Sequence, residues 1–217
     1  ENIMSKKKKK ENNPQIEVRT FNWGPCVIKL KIQDDFKKIL LSEIKKSKED
    51  YRHKLAGQIE KEIGYTQESR DKVIPYLAPY LGIYDQMFQK YQAKLYDSKP
   101  EYALTALWCN FQRQHEFNPP HDHDGKLSFV IYLSVPEPLK KENEKYNGKS
   151  CGPGGIQFMY GEGIRDCITY MSYFPKDGEM FVFPAWLKHW VSPFKLVFHS
   201  SYRFKVKTYY QRIRQLW

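Results

Sequence analysis

The run Asn118-Pro119-Pro120-His121-Asp122-His123-Asp124-Gly125 is the densest cluster of metal-capable side chains in this 217-residue sequence. Pro119 and Pro120 fix their own φ and bias the residue before each toward extended backbone. In an extended segment, side chains two apart share a side, so His121 and His123 are expected to face one ion together. A third imidazole, His189, follows 68 positions after His121, in Phe183-Pro184-Ala185-Trp186-Leu187-Lys188-His189-Trp190-Val191-Ser192-Pro193. Two ligands from one strand end and one from a neighbouring strand would occupy one face of an octahedron and leave three positions open. The third ligand is open at this point: His123 gives a three-imidazole set, whereas Asp122 or Asp124 gives two histidines and a carboxylate. Alternation favours His123, because it turns both aspartates away from His121. Any one of these histidines alone would read as a surface or hydrogen-bonded side chain, and His53, His115 and His199 stand in no such context.

The elements that would position these residues change character along the chain. Residues 1–15 read as a basic arm. A Trp-Gly-Pro turn leads into a strand over Val27–Ile32, and Asp34 reads as an N-cap. Behind it Phe36, Ile39, Leu40 and Ile44 recur at helical spacing. A loop containing Gly57, Gly64, Pro75 and Pro79 is expected next. A second amphipathic helix follows to about Tyr96, with Tyr84, Phe88, Tyr91 and Leu95 on one stripe. From Tyr102 the pattern shifts to period two. Strands are expected over Leu104–Gln112, Leu127–Val135, Gly155–Tyr160, Ile168–Phe174, Glu179–Pro184, Trp190–Phe194 and Tyr202–Tyr209, with Gly- and Asn-rich turns between them. So many short strands imply a β-sandwich or barrel with the helices laid on one outer face. The whole reads as one domain over 16–217: a helical support layer over 16–100 and a β core over 101–217.

Several segments, taken in order, resemble one family. Trp108-Cys109-Asn110-Phe111, His121, Leu127-Ser128-Phe129-Val130-Ile131-Tyr132-Leu133, Phe183-Pro184, His189-x-Val191-x-Pro193 and Arg203 together resemble the 2-oxoglutarate/iron(II) oxygenases. The similarity is strongest to prolyl-hydroxylase-like proteins of bacteria and bacteriophages, and it spans residues 104–209. It implies a double-stranded β-helix (jelly roll) with Fe(II) near one open end. It also implies oxidative decarboxylation of 2-oxoglutarate by O2, coupled to hydroxylation of a C–H bond, with a prolyl or other protein side chain as one substrate class. Most of that family carries His-x-Asp or His-x-Glu where this chain has His121-x-His123.

The resemblance assigns the distal carboxylate of 2-oxoglutarate to Arg203 and Tyr132, a cation with a hydroxyl beside it. Tyr132 shares a strand face with Ser128, Val130 and Ser134, opposite Leu127, Phe129, Ile131 and Leu133. Arg203 lies 14 residues after His189, farther than the family spacing, so Lys205 is the reserve anchor. Asn110 is a candidate for hydrogen bonding to cosubstrate or substrate. The segments 136–154 and 160–168 are expected to be irregular and to line the substrate pocket.

Composition bounds the alternatives. The chain is 41% hydrophobic and 16% aromatic, enough to build a globular core. Its longest apolar runs are far too short to cross a bilayer, and no signal peptide is expected behind the N-terminal lysines. Cys26, Cys109, Cys151 and Cys167 form no CxxC spacing and read as reduced thiols in a cytoplasm. Net charge is +11, of which Lys6 to Lys10 supply five. No aromatic interleaves with those lysines, so a solvated arm is favoured over a nucleic-acid-binding one. Two other readings stand beside the oxygenase: a three-histidine metal enzyme that does not use 2-oxoglutarate, and a nucleic-acid-binding module.

Overall fold

The computed structural model describes residues 24–91, 101–163, 168–195 and 206–216; of these, residue 91 and residues 206–216 are described as backbone only. Ten strands and three helices follow in chain order: β1 (Ile28–Lys31), α1 (Asp34–Lys46), β2 (Glu62–Gly64), α2 (Gln67–Tyr91), β3 (Glu101–Gln112), β4 (Asn118–His121), β5 (Leu127–Ser134), α3 (Glu137–Glu144), β6 (Ile156–Met159), β7 (Tyr170–Tyr173), β8 (Glu179–Pro184), β9 (Lys188–Val191) and β10 (Val206–Leu216). They build a six-stranded sheet, β1-β8-β5-β10-β3-β2, and a four-stranded sheet, β4-β9-β6-β7. Every pairing is antiparallel. This is the jelly-roll architecture that the family resemblance implies, and one form of the sandwich or barrel expected from the strand pattern.

The larger sheet is buried on both faces, and strand alternation sorts its side chains between two cores. Leu127, Phe129, Ile131 and Leu133 of β5, Leu107, Cys109 and Phe111 of β3, and Met180 and Val182 of β8 face outward against the helices. Phe36, Leu40 and Ile44 of α1 and Val73, Leu77, Leu81 and Tyr84 of α2 close that outer core. The complementary set, Val130, Tyr132, Ala106, Trp108, Phe181 and Phe183, points between the sheets and meets Ile156, Phe158 and Val191 of the smaller one. The partition of β5 is the one its period-two pattern predicts.

The helices depart from the sequence reading in instructive ways. Gln33, not Asp34, takes the N-cap position of α1, leaving Asp34 and Asp35 in the first turn and Lys45 and Lys46 in the last, where both pairs complement the helix dipole. Pro75 and Pro79 lie inside α2 and not in a loop. Both are exposed, so the carbonyls they leave without a helical donor face water, while Val73 and Leu77 hold the same turns onto the core. Residues 137–144, expected to be irregular, form α3 after Pro136, with Leu139 buried. β2 and β4 are too short for any period to reveal. Cys26, Cys109 and Cys151 form no disulfide among the described residues. Arg203, Lys205, Cys167, Leu95 and the Lys6–Lys10 run lie outside the described residues.

Candidate metal centre

β4 and β9 pair so that His121 stands directly opposite His189. The chain then leaves the strand, and the His123 N–H donates to the Ala185 carbonyl at 2.9 Å, while Ala185 N–H donates back to Lys126 at 3.1 Å. These two bonds staple the turn after His121 to the β8–β9 corner. Gly125 completes that turn at φ 108°, a left-handed conformation that a side chain at this position would strain. The result gathers three imidazoles. Ring centroids are 4.4 Å apart for His121–His189, 4.9 Å for His121–His123 and 5.1 Å for His123–His189. One ligand atom from each lies within 4.8 Å of the other two. Asp122 and Asp124 are exposed and are not part of this group.

Hydrogen bonds select which nitrogen of two of the rings faces the centre. His121 Nδ1 lies 2.7 Å from the Pro119 carbonyl and His189 Nδ1 lies 2.9 Å from that of Leu187. A carbonyl only accepts, so each Nδ1 carries the proton and each Nε2 keeps its lone pair, the arrangement typical of metal-binding histidines. Burial pushes the His121 imidazole below its ordinary value, against the opposing pull of Pro119 and Asp122. His189 is driven well below by complete burial and, next, by its two histidine neighbours. Neutral imidazoles are the form that binds a metal. Trp108 sets its ring edge-on to His123 at 5.7 Å and stacks on Tyr51 at 5.6 Å, which walls one side of the group. The chemistry and closeness of the three donors fit a single transition-metal ion with positions left for other ligands.

Two of the three cosubstrate candidates fall on one row of the larger sheet. Thr208 of β10 is the register partner of both Asn110 on β3 and Tyr132 on β5, so the two flank one β10 residue on the inward side. Both are buried, and the Asn110 Oδ1 has no hydrogen-bond partner among the described residues. Arg203 precedes β10 and is outside the described residues.

The same row holds a residue that the sequence reading missed. Glu62 on β2 is the register partner of Asn110, is 2% exposed, and has both carboxyl oxygens buried with no hydrogen-bond partner among the described residues. Burial, then the charges of Glu116 and Asp50, push its carboxyl up to about 8, with Arg52 acting the other way. Its only sequence signal was an acidic residue before Ile63-Gly64, in a strand of three residues.

Beside the metal turn opens a cleft of about 380 Å³ between Gly125, Lys126, Trp186, Tyr160, Tyr84 and Phe88. Among the described residues of the segments expected to form a substrate pocket, only Tyr160 lines it.

Comparison with known proteins places this geometry in a class. Residues 106–203 match the family described as "Putative 2OG-Fe(II) oxygenase". No curated protein matches the sequence. Solved structures share the fold, three of them as follows. A 2OG-Fe(II) oxygenase family oxidoreductase from Burkholderia pseudomallei is 10% identical, with TM-score 0.51 over 87% of this chain and 84% of that one. The viral collagen prolyl hydroxylase of Paramecium Bursaria Chlorella virus-1, solved with 2OG, is 13% identical, with TM-score 0.51 over 88% and 96%. OsALKBH1 is 13% identical, with TM-score 0.52 over 88% and 99%. The family match over residues 106–203 and the three-imidazole cluster together support a 2-oxoglutarate/iron(II) oxygenase. Its cofactors are Fe(II) and 2-oxoglutarate, with O2 as co-reactant. Neither the metal enzyme without 2-oxoglutarate nor the nucleic-acid-binding module is favoured by these findings. Among the described residues, no helix is long and apolar enough to cross a membrane.

Proposed function

We propose that the enzyme hydroxylates a C–H bond in a protein side chain, a prolyl ring being the class suggested by the viral prolyl hydroxylase that shares its fold. The observation that carries the site assignment is the convergence of His121, His123 and His189 on one point from strands 68 residues apart. In this reading all three Nε2 atoms hold the iron, and His123 takes the place of the carboxylate that most of the family uses. The carbonyls of Pro119 and Leu187 fix the tautomers and ring planes of His121 and His189.

When bound, the iron and 2-oxoglutarate supply the oxidative decarboxylation that drives hydroxylation. The chain's own contribution is placement. Tyr132 and Asn110, on either side of β10, would hydrogen-bond the cosubstrate, and Arg203, just ahead of that strand in the sequence, would pair with its distal carboxylate. Trp108, Phe158 and Phe183 surround the imidazoles with apolar surface, which excludes water and strengthens the electrostatic contacts inside. The aromatic cleft beside Gly125 and Trp186 is sized for a side chain with some flanking backbone.

The test is conversion of 2-oxoglutarate to succinate by the Fe(II)-loaded protein, measured for the wild type and for Arg203→Ala. Turnover that falls at least tenfold in the variant, through a higher KM for 2-oxoglutarate, supports the reading. Absence of succinate from the wild type overturns it.

A further inference from the structure

Among the described residues, the sheet that carries His121 and His189 ends on a strand with no neighbour on its outer side. β7 is last in the order β4-β9-β6-β7, and among the described residues no strand pairs with its outer edge. All four of its residues are exposed, with Tyr170 at 57%, Met171 at 39% and Tyr173 at 38%. Folded sheets usually guard an edge with charge, proline or a bulge. Tyr170-Met171-Ser172-Tyr173 is short but carries none of these.

Its backbone polarity follows from one bond. Tyr160 N–H donates to the Thr169 carbonyl at 3.0 Å, immediately before β7. In an antiparallel ladder, bonded pairs alternate with non-bonded ones. Met171 and Tyr173, partners of Phe158 and Ile156, therefore bond inward to β6. The N–H and C=O of Tyr170 and Ser172 point to the open edge. Two donors and two acceptors repeating every second residue match an extended polypeptide and no compact small molecule.

The strand is also in line with the metal centre. His121 opposes His189, His189 opposes Phe158, and Phe158 opposes Met171. One inward-facing row thus crosses all four strands from the metal centre to this edge. A strand added outside β7 stands three spacings, about 14 Å, from His189, a distance an extended chain covers in about four residues.

We propose that the outer edge of β7 is a docking site for a polypeptide substrate, which adds as a fifth strand through the backbones of Tyr170 and Ser172 and presents a residue about four to six positions further along to the metal centre. This rests on the reading that the enzyme acts on a protein side chain.

The experiment uses the full chain loaded with Fe(II) and 2-oxoglutarate under anaerobic conditions, probed with an array of acetylated dodecapeptides. Bound peptides are resynthesised with N-methyl groups on alternate residues in each of the two phases. One phase is expected to weaken binding at least tenfold and the other to leave it unchanged. Ser172→Pro, which removes an outward N–H without touching the bonds to β6, is expected to weaken binding at least tenfold as well. Residue-resolved amide exchange of the wild type covers the case in which that variant misfolds. Peptide should slow Tyr170 and Ser172 at least tenfold and leave Met171 and Tyr173 as they were. The proposal is overturned if no dodecapeptide binds, if binding ignores N-methylation, or if Tyr170 and Ser172 are already shielded in a concentration-dependent dimer of this chain. Succinate production is scored separately. Succinate without edge pairing overturns the docking site alone, and edge pairing without succinate overturns the oxygenase reading alone.

Discussion

His121 and His189 sit directly opposite each other on β4 and β9, with ring centroids 4.4 Å apart and each Nδ1 bound to a carbonyl two residues earlier in its own chain. The two strands therefore fix the ring planes of this pair, while the third imidazole depends on a turn. His123 is held by its backbone bond to Ala185 and by the edge contact with Trp108.

That difference gives a graded prediction for iron binding. His121→Ala and His189→Ala should each lower Fe(II) affinity at least a hundredfold. Asp122→Ala and Asp124→Ala should change it less than threefold, because both carboxylates are exposed and outside the cluster. Equilibrium titration with Fe(II) under anaerobic conditions reads all four. A large loss at either aspartate would restore the two-histidine, one-carboxylate alternative.

Tyr132→Phe and Asn110→Ala should each raise the KM for 2-oxoglutarate about tenfold, the cost of one hydrogen bond to a charged group. Iron affinity should not move with either substitution, since both residues belong to the larger sheet and the ligands to the smaller one or its adjoining turn. Isothermal titration of 2-oxoglutarate into the metal-loaded protein separates the two effects.

Glu62 makes stability depend on pH with a defined sign. Its folded carboxyl titrates near 8 against an ordinary value of 4.5. Between those limits the folded state holds a proton that the unfolded state releases. Stability from this group is therefore full below about pH 4.5 and declines as pH rises to about 8, by a total on the order of 5 kcal/mol. Denaturant melts at a series of pH values should show the wild type losing stability relative to Glu62→Gln across that window. Parallel curves would mean the carboxyl is ionised in the fold.

The two faces of β5 should separate stability from chemistry. Phe129→Ala, on the outward face beneath the helices, should cost about 3–5 kcal/mol. It should leave the KM for 2-oxoglutarate unchanged, which Tyr132→Phe does not. Urea unfolding paired with succinate kinetics checks both.

How much of this could be read without coordinates depended on the range of the interaction. The inward and outward sets of β5 and the bounds of β8 followed from alternation, because a one-residue slip would move every apolar side chain to the wrong face. That His121 and His123 share a site was legible from their spacing. That His189 joins them was an expectation from the chemistry of a three-ligand face, strengthened by the resemblance, and not a derivation, since pairing of residues 118–121 with 188–191 is a long-range register that no local pattern encodes. Pro75 and Pro79 looked like a loop because propensity weighs the missing N–H and not the solvent that can replace it. Glu62 was invisible for a different reason: its unusual state comes from burial beside Asn110 and from Glu116 and Asp50, which lie on other segments.

The most direct test of the central claim is a crystal structure of the Fe(II)-loaded protein with 2-oxoglutarate, with anomalous scattering recorded on either side of the iron edge. One iron peak bound by Nε2 of His121, His123 and His189 is expected, with 2-oxoglutarate on the open positions. An iron peak elsewhere, or one bound by Asp122 or Asp124 in place of His123, would contradict the claim.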